Sequence, residues 1–322
     1  MTLDEILKEI KQAKSIVILT HESPDGDAVG SSLALKLAIE EIGKKADVII
    51  PEYSRLFEFL PGTAEIKKES EIKNYDLAIA VDCATLKRVS KNEYFENANK
   101  TIVIDHHGSN NMYGDLNYVN PVSPACCEVL AGIFEYYEMN ITKDIGTCLM
   151  TGIITDTGGF RHQGVNPETF EFTATLIRKG VNIPDIYKRT LRTTTKANFE
   201  LSKKVMNRLE LIDDGKIAFT YITSEDEEQV NAEPGDHEGL VNIGADIEGV
   251  YVSIFIRQKE KENAYKISLR STTDIVNVSD VCLMFGGGGH PRAAGALVQG
   301  DVQEVKEKVV KEVRKALKWM VF

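Results

Sequence analysis

The 322-residue sequence has only five cysteines, and no two of them form a Cys-x-x-Cys pair. An odd number of cysteines without paired spacing argues against a disulfide framework and against a zinc ribbon. Cys126 and Cys127 lie together in an apolar stretch, where free buried thiols are usual. A reducing compartment, the cytoplasm, is therefore expected.

Long hydrophobic runs are also missing, since none approaches the ~20 apolar residues needed to span a bilayer. The first residues, MTLDEILKEIKQAKS, are acidic and amphipathic, so a secretory signal is not expected. We find no repeats and no low-complexity tracts. The sequence thus predicts no membrane partner.

The third deficit is positive charge. With 38 Lys and Arg against 49 Asp and Glu, the formal net charge is −11. Proteins that hold long nucleic acid usually present a basic surface. Binding of long duplex nucleic acid is therefore disfavoured. The binding of a small anionic ligand by local cations is still compatible with this net charge.

The apolar segments that are present indicate an α/β fold. Three continuous, β-branched runs, each ending in Asp or His, occupy residues 15–21, 76–82 and 101–107. Continuous apolar runs are typical of parallel strands buried on both faces. A helical pattern at residues 28–45 follows the first run, and strands alternating with helices predict an N-terminal parallel sheet.

The C-terminal part has a different pattern. Alternating strands at 215–223, 250–258 and 264–271, with a charged hairpin loop at 259–263, precede a final helix at 302–320. A chain of 322 residues is too long to fold around one typical hydrophobic core, which predicts two domains. We predict three segments: an N-terminal catalytic domain at 1–190, a helical linker at 191–210, and a smaller α/β substrate-binding domain at 211–322.

Acidic and histidine residues follow the three predicted parallel strands. They are His21, Asp82 and the run Asp105, His106 and His107. Asp25 and Asp27 lie on the loop just beyond the first strand, and Asp156 lies in a Gly-containing turn after a helical stretch. Because ligands bind at the carboxyl ends of strands in open α/β sheets, the strand-end residues are expected to converge.

This mixture of imidazole and carboxylate suits Mn²⁺, Mg²⁺, Fe²⁺ or Zn²⁺. Several carboxylates packed together would repel one another unless cations neutralised them. Two divalent ions ~3.5–4 Å apart would do so and would activate water for attack on phosphorus.

Simpler structural roles are alternatives for the same residues. Asp27, Asp82 and Asp156 could cap helices, and His106 and His107 could be satisfied core histidines. Capping is compatible with ligation, however, and the histidine pair follows an aspartate at the end of a buried strand. A metal site explains the whole set, and the capping and core roles do not.

Six motifs, in order, resemble those of one known family. HESPDGDAVGSS from His21, VDCAT from Val81, DHH from Asp105 and DTGGF from Asp156 resemble the four motifs of the DHH phosphoesterase superfamily. SLRS at 268–271 and GGGGHPRAAG at 286–295 resemble its DHH-associated C-terminal domain. The resemblance covers nearly the whole chain, and the GGGGH stretch is similar to the nanoRNase branch.

The resemblance implies two metal ions, usually Mn²⁺ in this family. The ligands of the first would be His21, Asp25 and Asp82. The ligands of the second would be Asp27, Asp82, His106 and Asp156, so that Asp82 bridges the two. His107 would contact the scissile phosphate or assist protonation of the leaving oxygen, and Asp105 would orient a histidine.

In the C-terminal domain, the resemblance implies a site for a terminal phosphate or base. The residues expected there are Arg270, Gly287, Gly288, Gly289 and His290, with Arg292 a less certain member. A glycine run has a physical reason here, because a backbone without side chains can approach a ligand closely and offer N–H groups to an anion.

The function implied is an Mn-dependent phosphoesterase of the oligoribonuclease and pAp-phosphatase kind. Its substrates would be short RNA or DNA oligonucleotides, linear dinucleotides such as pApA, and 3′-phosphoadenosine 5′-phosphate (pAp), and a homodimer is possible. A manganese inorganic pyrophosphatase is one alternative, although its basic C-terminal signature is replaced here by uncharged glycines before His290. The other is a non-catalytic nucleotide-binding sensor, although every expected metal position is filled.

Overall fold

The computed structural model of the chain describes residues 3–162, 164–259 and 264–318. It contains two compact units, Met1–Thr193 and Thr194–Phe322. Of the hairpin loop predicted at 259–263, all residues except Lys259 lie outside the described part.

The first unit is built on a five-stranded parallel sheet, which confirms the predicted fold class. Its strands are β1 (Ile16–Leu19), β2 (Asp47–Val48), β3 (Leu77–Val81), β4 (Lys100–Asp105) and β5 (Leu116–Val119). The strand order is β2-β1-β3-β4-β5. Every residue of β1 and β3 is buried, as continuous apolar runs predict.

Seven α-helices accompany this sheet in the described part of the unit. They are α1 (Leu3–Gln12), α2 (Gly26–Glu41), α3 (Glu93–Glu96), α4 (Cys126–Tyr136), α5 (Lys143–Asp156), α6 (Pro167–Arg178) and α7 (Ile183–Tyr187). Short 3₁₀ turns occupy Arg55–Phe57, Thr63–Glu65 and Leu86–Arg88, and a π-helical turn occupies Lys188–Arg192. Asn166 caps α6 with its side chain and Pro167 begins the helix, a position where the missing N–H of proline costs no helical hydrogen bond.

Glycines let helices α2 and α5 pack closely. A side chain at Gly30 would lie 2.6 Å from the carbonyl oxygen of Cys148, and one at Gly152 would overlap the carboxylate of Asp27. Two helix backbones can approach this closely only where no Cβ intervenes. The contact brings the first turn of α2 beside the last turn of α5, which ends in Asp156.

The second unit contains a six-stranded mixed sheet in the order β10-β11-β9-β8-β7-β6. Its strands are β6 (Glu210–Ile212), β7 (Ile217–Ile222), β8 (Val252–Lys259), β9 (Ala264–Ser271), β10 (Gly288–His290) and β11 (Ala293–Gln299). All neighbouring pairs are antiparallel except β7 and β8. Its helices are α8 (Lys196–Asn207), α9 (Ser224–Gln229), α10 (Asn242–Ala245), α11 (Val278–Leu283) and α12 (Val302–Lys318).

Helix α8 falls within the segment predicted as a linker, yet its apolar side chains are part of the second unit. Leu201 and Val205 are fully buried and pack with Ile222 and Phe255 of the sheet. Helices α11 and α12 contribute to a separate core on the same sheet. In the described part of the chain, no helix has the length and apolar content required to cross a membrane.

Candidate metal centre

The structure brings the strand-end acids and histidines together at one edge of the parallel sheet. Strands β1, β3 and β4 are adjacent and in parallel register. Asp82 follows β3 directly, Asp105 is the last residue of β4, and His21 lies two residues beyond β1. Parallel strands end at a common edge, so these side chains meet although they are far apart in sequence.

His21, Asp25 and Asp82 form a first cluster, with one potential ligand atom from each lying within 4.8 Å of the others. The Nε2 atom of His21 is 3.7 Å from Asp82 Oδ2, while its Nδ1 atom lies 2.8 Å from the carbonyl oxygen of Glu22. The imidazole is therefore held with Nε2 towards the aspartate.

Asp25 is the residue that caps helix α2. Its Oδ1 atom accepts hydrogen bonds from the N–H groups of Asp27 and Ala28 at 3.0 and 3.1 Å. The helix begins at Gly26 rather than at the predicted Ala28, so Asp27 lies inside the first turn and is not the cap. The capping alternative for Asp27 is therefore wrong.

Asp27, His106 and Asp156 form a second cluster. The Nε2 atom of His106 is 3.9 Å from Asp27 Oδ2, 3.3 Å from Asp156 Oδ2 and 3.4 Å from Asp82 Oδ1. Because the other oxygen of Asp82 faces His21, this carboxylate is shared by the two clusters.

The backbone of Asp82 is strained, and its carboxylate is buried. Its φ angle is 50°, in the left-handed region that non-glycine residues seldom adopt. It is 2 % exposed, and its Oδ1 atom has no hydrogen-bond partner among the described residues. Strained residues of this kind concentrate at functional sites, and a buried carboxylate oxygen without a donor is suited to a cation.

The amino end of helix α4 holds Asp27. The backbone N–H groups of Cys126 and Cys127 donate to its Oδ2 and Oδ1 atoms at 2.6 and 2.9 Å. The sequence predicted only that these two cysteines are buried free thiols, which they are, and gave no sign of the role of their backbone. No side-chain pattern could have indicated it, since every residue except proline carries an N–H group.

Both histidines of the DHH stretch are oriented through Nδ1. His106 Nδ1 lies 3.2 Å from the carbonyl oxygen of Ser123, and His107 Nδ1 lies 2.8 Å from Asp105 Oδ1. The side-chain amide of Asn110 donates to the other oxygen of Asp105 at 2.6 Å. Ser123 and Asn110 were not identified from the sequence, although Asn110 is only five residues beyond Asp105.

It is energetically unfavourable for all the carboxylates of the centre to be ionised at once. Burial, and then the charge of Asp82, raise the pKa of Asp27 to about 7. Burial, and then Asp27, raise the pKa of Asp156 well above its usual range. Burial acts to raise the pKa of Asp82, but His106, His107 and His21 together outweigh it and hold that pKa below its usual range. Like-charge crowding of this kind is relieved when cations bind, so these residues fit divalent metal ions.

The turn after Asp156 folds back on itself. Gly158 and Gly159 have φ angles of 57° and 71°, values that glycine adopts readily. His162 Nδ1 lies 2.9 Å from the carbonyl oxygen of Asp156, and Arg161 Nε donates to that of Gly158 at 2.8 Å. The side chains of Arg161 and His162 thus both contact this turn.

In the second unit, Arg270 and His290 lie on one face of the sheet. Both are directly opposite Ala293, Arg270 from β9 and His290 from β10. Residues directly opposite one another on neighbouring strands point to the same face of a sheet. Because β11 lies between β9 and β10, the backbone positions of Arg270 and His290 are two strand spacings apart, roughly 10 Å. Burial lowers the pKa of Arg270, whose guanidinium donates to the carbonyl oxygen of Leu269 at 3.2 Å.

The glycine run has two different physical explanations. A side chain at Gly287 would overlap the carbonyl oxygen of Gly295, and one at Gly289 would lie 2.5 Å from that of Ala293. Strand pairing therefore requires glycine at both positions. Gly288 has open space where a side chain would be, so its backbone can be approached by a ligand. Arg292, by contrast, is 2.6 Å from Asp274 in an ion pair.

Known proteins share both units. Residues 15–153 match the DHH family, N-terminal domain, and residues 202–318 match the DHHA1 domain. The bifunctional oligoribonuclease and PAP phosphatase NrnA of Thermus thermophilus is 33% identical over 317 residues, which cover 97% of this chain and 93% of that protein. The protein of the same name from Mycoplasma genitalium is 26% identical over 318 residues, covering 97% and 98%.

A solved structure has the same architecture. The crystal structure of an exopolyphosphatase-related protein from Bacteroides fragilis matches with a TM-score of 0.86 and 29% identity, covering 98% of this chain and 95% of that one. Two domain matches and a relative above 30% identity over almost the entire chain confirm the resemblance drawn from the motifs. This chain belongs to the DHH family.

Proposed function

We propose that this protein is a metal-dependent phosphoesterase that hydrolyses short oligonucleotides and pAp to nucleoside monophosphates. The observation that carries the proposal is the pair of His–Asp clusters that share Asp82. The substrate class is supported by the relatives from Thermus thermophilus and Mycoplasma genitalium, both named bifunctional oligoribonuclease and PAP phosphatase.

The metal assignment is part of this proposal. One ion would be held by His21, Asp25 and Asp82, and the other by Asp27, Asp82, His106 and Asp156, with Mn²⁺ as the preferred metal. When bound, two such ions neutralise the crowded carboxylates and supply Lewis-acid activation of a water molecule and of the phosphoryl group. The raised pKa values of Asp27 and Asp156 support this assignment, because they reflect burial first and then neighbouring negative charge, and bound cations would offset both.

The roles of the other centre residues follow from their hydrogen bonds. With Nδ1 bonded to Asp105, His107 can direct Nε2 to the scissile phosphate or to the leaving oxygen. A histidine fixed in this way is suited to donate a proton to the leaving oxygen. Asp105 is itself fixed by Asn110, so the imidazole stays in one orientation. The N–H groups at the start of α4 hold Asp27 in its place before any substrate binds.

We assign hydrolysis to the domain at 1–190 and substrate binding to the domain at 211–322. Arg270 and His290 would bind a terminal phosphate, with Gly287, Gly288 and Gly289 supplying the backbone around it. A guanidinium is well matched to a phosphate because it donates parallel charge-assisted hydrogen bonds. The net charge of −11 supports short substrates over long duplex nucleic acid, and the five buried free thiols support a cytoplasmic location.

A substrate panel tests the proposal. The purified protein is assayed with Mn²⁺ or Mg²⁺, and with a chelator as control, on pAp, pApA, pentanucleotides of RNA and DNA, duplex DNA and pyrophosphate. We expect metal-dependent release of AMP from pAp and pApA, with little action on duplex. Hydrolysis of pyrophosphate alone would favour the pyrophosphatase alternative, and nucleotide binding without any turnover would favour the sensor.

A further inference from the structure

Glu128 is a buried acid to which the proposed mechanism gives no part. It is the third residue of α4, and its Oε2 atom has no hydrogen-bond partner in the described part of the chain. A buried polar atom without a partner costs free energy of folding that an apolar side chain of similar size would avoid. The presence of an acid here therefore needs a reason beyond packing, and its neighbours supply one.

Three polar side chains surround the carboxyl group of Glu128. Burial raises its pKa, and hydrogen bonds with Thr169, Ser123 and Asn166, in that order, act against this rise. Because Oε2 has no partner, these hydrogen bonds are made with Oε1. Asn166 and Thr169 form the capping box of α6, and Ser123 belongs to the segment just before α4. One carboxyl group thus joins α4 to the segment before it and to the start of α6.

Two of the elements joined in this way support ligands of the second cluster. The carbonyl oxygen of Ser123 lies 3.2 Å from His106 Nδ1. The N–H groups of Cys126 and Cys127, in the first turn of α4, donate to the carboxylate of Asp27. Glu128 therefore contacts the residue that orients His106, and it lies in the same helical turn as the N–H groups that hold Asp27.

We propose that Glu128 is a positioning residue that fixes the segment carrying Ser123 and, through it, the orientation of His106 for the second metal ion. By holding the first turn of α4 in place, it also supports the N–H groups that bind Asp27. This inference rests on the proposed function. A histidine ligand is oriented by the hydrogen bond of its other ring nitrogen, and loss of such outer partners typically costs about 10–100-fold in metal affinity.

The effect is selective for one of the two ions. In the first cluster, His21 is oriented by the carbonyl oxygen of Glu22 at 2.8 Å. Asp25 accepts hydrogen bonds from the N–H groups of Asp27 and Ala28. Both supports come from residues next to the ligand in the sequence, so they stay in place when Glu128 is removed.

Titration of Glu128 variants with Mn²⁺ tests the inference. Calorimetry on the full-length protein, without substrate, measures the number and affinity of bound ions. EPR spectroscopy distinguishes a single Mn²⁺ ion from two ions about 3.5–4 Å apart, which interact magnetically. We expect Glu128→Ala to weaken the binding of one ion about 10–100-fold and that of the other less than about twofold. The EPR signal of the ion pair should be lost at Mn²⁺ concentrations that fill both sites of the wild type.

Three further variants separate positioning from general destabilisation. Glu128→Gln keeps the side-chain length and an oxygen that accepts hydrogen bonds, so it should retain both ions. Ser123→Ala removes a partner of Glu128 but keeps the carbonyl group, and should weaken the same ion by a smaller factor. Glu135→Ala, at an exposed residue of α4, should bind both ions as the wild type does.

Thermal unfolding shows which variants are folded at the titration temperature, and Ser123→Ala carries the test if Glu128→Ala does not fold. Equal weakening of both ions, unchanged binding of both, or loss of the second ion in Glu128→Gln would overturn the inference.

The same titrations distinguish this inference from the proposed function. If the wild type binds two ions but releases no AMP from pAp or pApA, the proposed function is wrong, and selective loss of one ion in Glu128→Ala still supports the positioning role. If the wild type hydrolyses these substrates and Glu128→Ala retains both ions, the enzyme assignment survives and the positioning role does not. Binding of a single ion by an active wild type would likewise overturn only the inference and the two-ion assignment.

Discussion

At the scale of single residues, Asp82 is the position on which the metal centre depends. It is buried, its backbone is in the left-handed region, and its two oxygens face His106 and His21. Each of the other ligand residues belongs to one cluster only, so its loss leaves the other cluster complete. A change at Asp82 affects both.

We expect Asp82→Asn to reduce turnover by at least about a thousandfold, because the shared ligand loses its charge. Asparagine tolerates the left-handed backbone, and it removes a negative charge from a crowded group, so the fold should survive. Thermal unfolding, metal titration and Mn²⁺-dependent turnover check these points. Asp144→Asn, at an exposed residue in the first turn of α5, is the matched control. Near-normal turnover by well-folded Asp82→Asn would refute the shared-ligand assignment.

Glu128 gives a test of pH-dependent stability. It is 4 % exposed, its Oε2 atom has no hydrogen-bond partner among described residues, and burial raises its pKa above the ordinary 4.5. Because the folded state binds this proton more tightly than the unfolded state, the associated stability is present below pH 4.5. It is lost as pH rises through the folded-state pKa.

Glu128→Gln should therefore become more stable than the wild type as the pH rises, by up to about 1.4 kcal/mol per pH unit within that interval. Urea unfolding at a series of pH values measures the difference in free energy of unfolding. Glu135→Gln, at an exposed residue of the same helix, should show no comparable trend. A constant difference between Glu128→Gln and wild type would show that Glu128 has the same pKa in both states.

At the scale of helices and strands, the crossing of α2 and α5 positions Asp27 beside Asp156. A side chain at Gly152 would overlap both Asp27 Oδ1 and Cys127 Sγ. We expect Gly152→Ala to lower the free energy of unfolding by about 1–3 kcal/mol and to reduce turnover strongly, because overpacking displaces Asp27.

Gly132→Ala is the control for helix propensity. Gly132 lies inside α4, and the nearest atom to an added Cβ is Phe172 Cζ at 3.8 Å, an ordinary contact. This variant should keep full turnover and gain about 0.5–1 kcal/mol, as a glycine-to-alanine change inside a helix does. Similar behaviour of the two variants would mean that close packing at Gly152 is not what positions Asp27.

The elements differ in how far the sequence could predict them. Continuous apolar runs located β1, β3 and β4, because strands buried on both faces leave that pattern. The support of Asp27 by the amino end of α4 left no pattern, since backbone N–H groups are common to nearly all residues. The sequence did not predict the crossing of α2 and α5 either, because that crossing depends on which glycines meet in space. The sequence therefore predicted the side-chain chemistry of the site and did not predict the backbone geometry that positions it.

At the scale of the whole molecule, the proposed site residues divide between the two units. The acids and histidines of the metal centre belong to the first unit, and Arg270 and His290 belong to the second. If the two units divide chemistry from substrate selection, variants of the second should change KM for natural substrates and leave the metal chemistry intact.

We therefore expect Arg270→Gln and His290→Gln each to lower kcat/KM for pAp about tenfold to a hundredfold, chiefly through KM, because a charge-assisted hydrogen bond contributes roughly 1.5–3 kcal/mol. A small aryl phosphodiester has no terminal phosphate for these residues to bind, so its hydrolysis should hardly change. Arg314→Gln, which removes an exposed arginine paired with Asp213, controls for the loss of positive charge. Equal losses on both substrates would mean that Arg270 and His290 support the fold or the reaction itself, and the division of labour would then be wrong.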